Sequence, residues 1–203
     1  MKKRLVTMAF TFTIFWFVCA GADAQGIPQG FDLFGEFGPS CLYGDVHSSA
    51  TGNAKCEAGR FFGGVRLRLT RHDAVEASYS YSPDVFNEAY PLLYSNGRLR
   101  SHSLNYVRYL SAYSHLQPFA TAGVGWESFE GGGQTSSGTP VGGDTEFAWN
   151  YGAGFDIIPY RFVAIRFEVR EYLTSLPDFH TGPLHNVCPS LGIVFRWNRN
   201  RKL

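Results

Sequence analysis

The sequence predicts an all-β fold, eight antiparallel strands closed into an up-and-down barrel, from three observations. Apolar residues recur with period two rather than 3.6. Clusters of Gly, Pro, Asn and Ser cut that pattern into short runs, and the connections between runs alternate short and long. After Gln25 no stretch of twelve or more residues carries a helical apolar period.

Composition narrows the class. Charged residues make up 17 % and aromatics 16 %, with 18 Phe, 11 Tyr and 23 Gly; an average soluble domain carries about 25 % charge. Aromatics at this level exclude disorder, and Gly without a triplet period excludes collagen. A net charge of +1 leaves no basic footprint for nucleic acid.

Residues 1–24 read as a secretory signal peptide. Lys2, Lys3 and Arg4 precede the uncharged run Leu5–Val18, and Ala22 and Ala24 are the small residues expected before cleavage after Ala24. The run is shorter than the ~20 residues a spanning helix needs. Residues 25–203 then form one barrel domain.

Its first strand, Phe31–Gly38, is short, aromatic and Gly-broken. The second, Arg60–Thr70, sets Val65, Leu67 and Leu69 against Gly64, Arg66 and Arg68. In the third, Ala74–Tyr81, Val75, Ala77 and Tyr79 oppose Glu76, Ser78 and Ser80. The fourth, Ser101–Leu110, has two competing parities, and Arg108 is assigned to the polar one. In the fifth, Pro118–Glu127, Ala122, Val124 and Trp126 oppose Gly123, Gly125 and Glu127. The sixth, Phe147–Asp156, sets Trp149, Tyr151 and Phe155 against Gly152, Gly154 and Asp156. The seventh, Arg161–Tyr172, is the clearest: Val163, Ile165, Phe167 and Val169 against Arg166, Glu168 and Arg170. The eighth, Ser190–Trp197, sets Leu191, Ile193, Phe195 and Trp197 against Ser190, Gly192 and Arg196. Thr70–Ala74, Ser111–Gln117 and Ile158–Arg161 are short connections. Pro39–Glu57, Pro83–Leu99, Ser128–Thr145 and Thr174–Asn186 are long and polar. Tight turns at one end and four long loops at the other are the pattern of a transmembrane barrel with periplasmic turns and outer loops.

Volume and charge decide which parity faces inward. Eight strands enclose only enough space for their own side chains. The polar parity is padded with Gly and carries Arg66, Arg68, Arg108, Arg166, Arg170 and Arg196 with Glu76, Glu127, Asp156 and Glu168. Mixed charges pair inside a narrow barrel, whereas each Arg facing lipid near the midplane costs roughly 2–4 kcal/mol. The aromatic parity therefore faces lipid, and the ten charges are expected to form a lumen network. The alternative polarity, apolar inside, describes a soluble lipocalin-like carrier.

The last strand carries a resemblance. Ser190, Gly192, Phe195 and Trp197 match, residue by residue, the terminal-strand signal of bacterial outer-membrane barrels: a polar residue, Gly two later, then apolar or aromatic residues three and five beyond. The chain resembles the small OmpA- or OmpX-type eight-stranded barrels of Gram-negative cells. The resemblance implies location in the outer membrane, outer-membrane lipid as surroundings, and recognition of that signal by the barrel assembly machinery during biogenesis.

Cys41, Cys56 and Cys188 belong to the exported part, an odd number for an oxidising compartment. Cys41 and Cys56 bracket the first long loop, and closing it is worth ~3 kcal/mol in the chain-entropy model. Cys41–Cys56 is the expected bond; Cys41–Cys188 across the closing strands is the alternative. The Cys and His residues have no metal-ligand spacing, and His180 and His185 flank a Gly–Pro turn as loop polars. Gly131, Gly132 and Gly133 lack the helix and Lys of a phosphate cradle. Outer-membrane lipid A deacylases use a His and a Ser on a barrel strand, but His102 and Ser103 are adjacent and point to opposite faces. The expectation is a non-enzymatic barrel with no cofactor, a plugged lumen and a structural or surface-interaction role. A lipid-modifying enzyme is the second class. The loop sequences name no partner.

Overall fold

Strand alternation places every second residue on the same side of the wall, and the wall closes on itself. The computed structural model describes residues 29–43, 55–83, 95–111, 115–134, 140–141, 143–175 and 183–198. Its strands are β1(Gly30–Tyr43), β2(Lys55–Arg68), β3(Asp73–Ser82), β4(Ser95–Tyr109), β5(Leu116–Gln134), β6(Pro140–Val141), β7(Asp144–Tyr160), β8(Val163–Ser175) and β9(Pro183–Asn198). Eight of them close a ring in the order β1–β2–β3–β4–β5–β7–β8–β9, and β9 pairs back onto β1. Every pairing is antiparallel; β6 is only a two-residue bridge onto the end of β5.

Following one row of partners around the ring gives the stagger. Trp197 faces Phe31, then Leu67, Val75, Tyr106, Ala122, Tyr151 and Glu171, and the row returns to β9 at Val187. The circuit closes ten residues from its start on the same strand. A stagger of that size in eight strands requires a tilt of about 40°, so each residue climbs about 2.5 Å along the barrel axis.

The strands run further than their side-chain pattern shows. Segments read as the starts and ends of loops are ladder: β1 continues through Tyr43, β4 begins at Ser95, β5 reaches Gln134 and β9 begins at Pro183. Gly131–Gly133 therefore lie in a strand rather than a loop, as does His185. Beyond the lipid band both faces meet polar surroundings, so backbone pairing continues with no parity to mark it. Residues 1–24, His180 and the tips of the four long connections lie outside the described residues.

The outer wall is apolar. Phe37, Phe61, Trp149, Val169, Leu191 and Trp197 are all between half and two-thirds exposed, and Phe195 is nearly half exposed. Inward positions are buried, and large inward side chains face glycine across the strand pair. Phe34 lies opposite Gly64 and Phe119 opposite Gly154. A Cβ on Gly64 would sit 2.7 Å from the Phe34 ring, and one on Gly154 2.8 Å from that of Phe119. The glycines on the polar parity thus make room for aromatics inside, which simple counting of polar residues does not reveal.

A charge-filled lumen as the candidate functional site

Twelve charged side chains are buried in the lumen among the described residues: Arg60, Arg66, Arg68, Arg166, Arg170 and Arg196, and Asp32, Glu36, Glu76, Glu127, Asp156 and Glu168. Nine of them are among the ten read from sequence. The six cations and six acids balance.

They stack in layers along the axis. Nearest the short turns, Arg68 bonds Asp32 at 2.8 Å, and Arg196 donates to Gln117 at 3.0 Å. Above them Arg166 grips Asp156 with Nε at 2.8 Å and Nη2 at 3.1 Å, and approaches Glu36 at 3.4 Å. Glu76 is the hub, paired with Arg66 and with Arg170 at 2.8 Å, with Arg166 at 3.7 Å. Glu168 lies 2.6 Å from Arg170. Toward the long connections, Arg60 bonds Glu127 at 3.0 Å and stacks over the Tyr172 ring at 4.4 Å. Inward aromatics complete the packing: Arg66 and Arg166 lie 5.2 and 5.0 Å from the Phe119 ring centroid. The Tyr109 hydroxyl accepts from Arg68 at 2.9 Å and donates to Asp156 at 3.2 Å.

Arg108 is a correction. It lies on the outer wall with half its side chain exposed, paired with Asp73 beside the second hairpin turn; Tyr106 also donates to Asp73. Its strand is held in the opposite register by inward polar groups. Ser101 donates to Glu127 at 2.8 Å, Ser103 shares a 2.7 Å bond with Ser78, and Asn105 donates to Glu76 at 3.2 Å. One Arg at a strand end lies at the water boundary, where lipid exposure costs little. The sequence reading also missed Asp32, Glu36 and Arg60. Asp32 and Glu36 share their parity with Phe34, which masks it, and Arg60 opens its run; the four-residue spacing of the two acids was the available signal.

The remaining site residues are equally placed. Ser190 faces inward and donates to Glu36 at 2.6 Å, and Gly192 lies opposite Glu36. Phe195 and Trp197 face outward, and Trp197 packs on Phe31 at 5.9 Å. Cys41 and Cys56 are direct cross-strand partners joined by a disulfide, with Cα atoms 4.0 Å apart. Cys188 is free and buried in the lumen, where Arg60 donates to its Sγ at 3.4 Å. Cys41 is opposite Val187, so alternation puts Cys188 on the other side of the wall from the disulfide. His102 is exposed and Ser103 buried, on opposite sides as adjacent strand residues must be.

A closed barrel, apolar outside and ion-paired inside, is a transmembrane β-barrel of the outer-membrane kind, and the outer membrane is where it resides. No family model and no curated protein matches the chain. Solved structures share its fold. Neisserial surface protein A aligns with a TM-score of 0.62 at 10 % identity, over 82 % of this chain and 97 % of that one. The N-terminal barrel domain of Pseudomonas aeruginosa OprF gives 0.55 at 16 %, over 84 % and 100 %. Ail, the attachment invasion locus protein of Yersinia pestis, gives 0.53 at 16 %, over 84 % and 100 %.

Proposed function

We propose that this chain is a non-enzymatic outer-membrane barrel whose closed lumen supports four outer loops that make its contacts. The carrying observation is the lumen itself: twelve balanced charges, packed with inward aromatics, occupy the space where a transported solute would pass. Function then belongs to the loop end. In this reading the terminal-strand residues Ser190, Gly192, Phe195 and Trp197 serve assembly, and the charge network serves stability.

The loops indicate partner chemistry. The four long connections, Pro39–Glu57, Pro83–Leu99, Ser128–Thr145 and Thr174–Asn186, contain seven acids, Asp45, Glu57, Asp84, Glu88, Glu130, Asp144 and Asp178, against two cations, Lys55 and Arg98, with Phe86, Tyr90, Tyr94 and Phe179 among them. Ail has been crystallised with the heparin analogue sucrose octasulfate; connections with this excess of acid favour a neutral or basic partner instead. Cells displaying the barrel are expected not to bind heparin-coated beads above the level of empty cells. The acyl inventory of their outer-membrane lipids should match that of cells lacking the protein. Heparin capture would overturn the partner chemistry. Loss of an acyl chain, by mass spectrometry, would replace the non-enzymatic reading with a lipid-modifying enzyme.

A further inference from the structure

The outer wall carries one polar cluster just inside the edge of the lipid band nearest the long connections. Glu171 on β8 faces outward and uses both carboxylate oxygens. Tyr151 of β7 donates its hydroxyl to Oε2 at 2.6 Å, and His185 of β9 meets Oε1 through Nδ1 at 2.6 Å. Tyr151 is half exposed, and about two-fifths of the His185 side chain is exposed. Trp149 stands beside them, 60 % exposed and edge-on to Phe147 at 5.4 Å. Trp149, Leu173 and His185 form one row across β7, β8 and β9.

The stagger fixes the height of this cluster. Val187, the partner of Glu171, is ten residues up β9 from Trp197, or about 25 Å at about 2.5 Å per residue. That equals the height of the apolar band of such barrels. With Trp197 at the inner edge, Val187 reaches the outer one. Because the row falls about 3 Å per strand, Trp149 lies close below that edge, Glu171 about 3 Å and Tyr151 about 6 Å below it, where lipid chains give way to headgroups.

We infer that Trp149, Tyr151, Glu171 and His185 form a docking site for the sugar headgroup of an outer-leaflet glycolipid. A large exposed indole supplies a flat apolar face for a sugar ring. The hydrogen-bonding groups beside it supply both donors and acceptors for hydroxyls, and His185 Nδ1 is held by Glu171, which turns Nε2 away from the carboxylate. The carboxylate disfavours a bare phosphate, and no Arg or Lys joins the cluster among the described residues. Toward the other edge of the band the comparable group is built on Arg108, Asp73 and Tyr106, a neutral ion pair with no Trp beside it among the described residues.

The test uses the full-length protein, purified from detergent-extracted membranes and examined by native mass spectrometry for retained lipid. Rough lipopolysaccharide and phosphatidylglycerol are then offered as competing probes. The unmodified protein is expected to retain the glycolipid, and phosphatidylglycerol should not displace it. Trp149→Leu and His185→Ala should each lower retention at least tenfold, with the heat-dependent gel shift of a folded barrel unchanged. Phe155→Leu, on the same outward row of β7 but lower in the band, should leave retention unchanged. Equal retention by all variants, or displacement by phosphatidylglycerol at equal concentration, would overturn the site and leave ordinary boundary lipid. Should His185→Ala misfold, Trp149→Leu decides, because an exposed aromatic at the edge of the wall is dispensable for closure.

Discussion

Glu76 shows what one residue does in a lumen packed with buried charges. Its carboxylate answers Arg66, Arg166 and Arg170 and accepts from Asn105. Removing an acid from such a set leaves buried cations unpaired, which typically costs about 3–5 kcal/mol. Glu76→Gln is therefore expected to lower unfolding stability by that amount in urea titrations of the vesicle-inserted barrel, followed by tryptophan emission. The control is Glu130→Gln. Glu130 pairs with Arg100 at 2.9 Å, but both side chains are about two-fifths exposed, and such pairs contribute about 1 kcal/mol or less. Equal effects of the two substitutions would mean that the lumen is hydrated and the network screened. Glu76 was legible in the sequence because the opposite parity of its run, Val75 to Tyr81, is apolar. Arg108 was misassigned because charge alone does not distinguish a lumen from a membrane edge; height does, and height depends on the stagger of all eight strands.

At the level of the strand, the alternation carried the fold and the glycines carried the fit. Runs such as Arg161–Tyr172 show their two faces without any knowledge of neighbours, since lipid and lumen impose opposite chemistries on successive residues. Cross-strand pairing is different, because it joins residues far apart in the chain. No local pattern shows that Gly154 faces Phe119 or that Gly64 faces Phe34. These pairs reconcile a narrow barrel with inward aromatics, and they set a steric test. A Cβ at Gly154 would lie 2.2 Å from the Phe167 carbonyl oxygen as well as against the Phe119 ring. Gly154→Val is expected to prevent barrel closure, read as loss of the heat-dependent gel shift. Adding Phe119→Ala should not restore it, since the carbonyl belongs to the backbone of the neighbouring strand. Recovery in the double variant would show that ring packing, and not the approach of the strands, sets the demand for glycine.

The whole molecule is a tube whose contents matter more than its width. Eight strands about 4.8 Å apart and tilted about 40° set a backbone radius of about 8 Å, so guanidinium groups from facing walls reach the axis. Apolar layers cap the charges at the loop end and interleave with them toward the short turns. Toward the long connections Leu99, Phe129, Ala148 and Leu184 turn inward and are buried. In the other half Ala74, Val107, Tyr109 and Phe119 form one cluster and Phe34, Ile158, Ala164 and Val194 another, with Asp32, Gln117 and Arg196 one inward position nearer the short turns than Phe34, Phe119 and Val194. An ion entering from the loop end would shed its water at an apolar layer, then part Arg60 from Glu127 and Arg166 from Asp156. Each separation exposes an unpaired buried charge at about 3–5 kcal/mol, and several occur in series. Purified protein in planar bilayers is therefore expected to show no steady current under applied voltage. The same holds after Arg108→Ala, because that side chain lies outside the wall. A reproducible open conductance in the unmodified protein would mean that the layers part together, and the barrel would then be a narrow channel instead of a closed support for its loops.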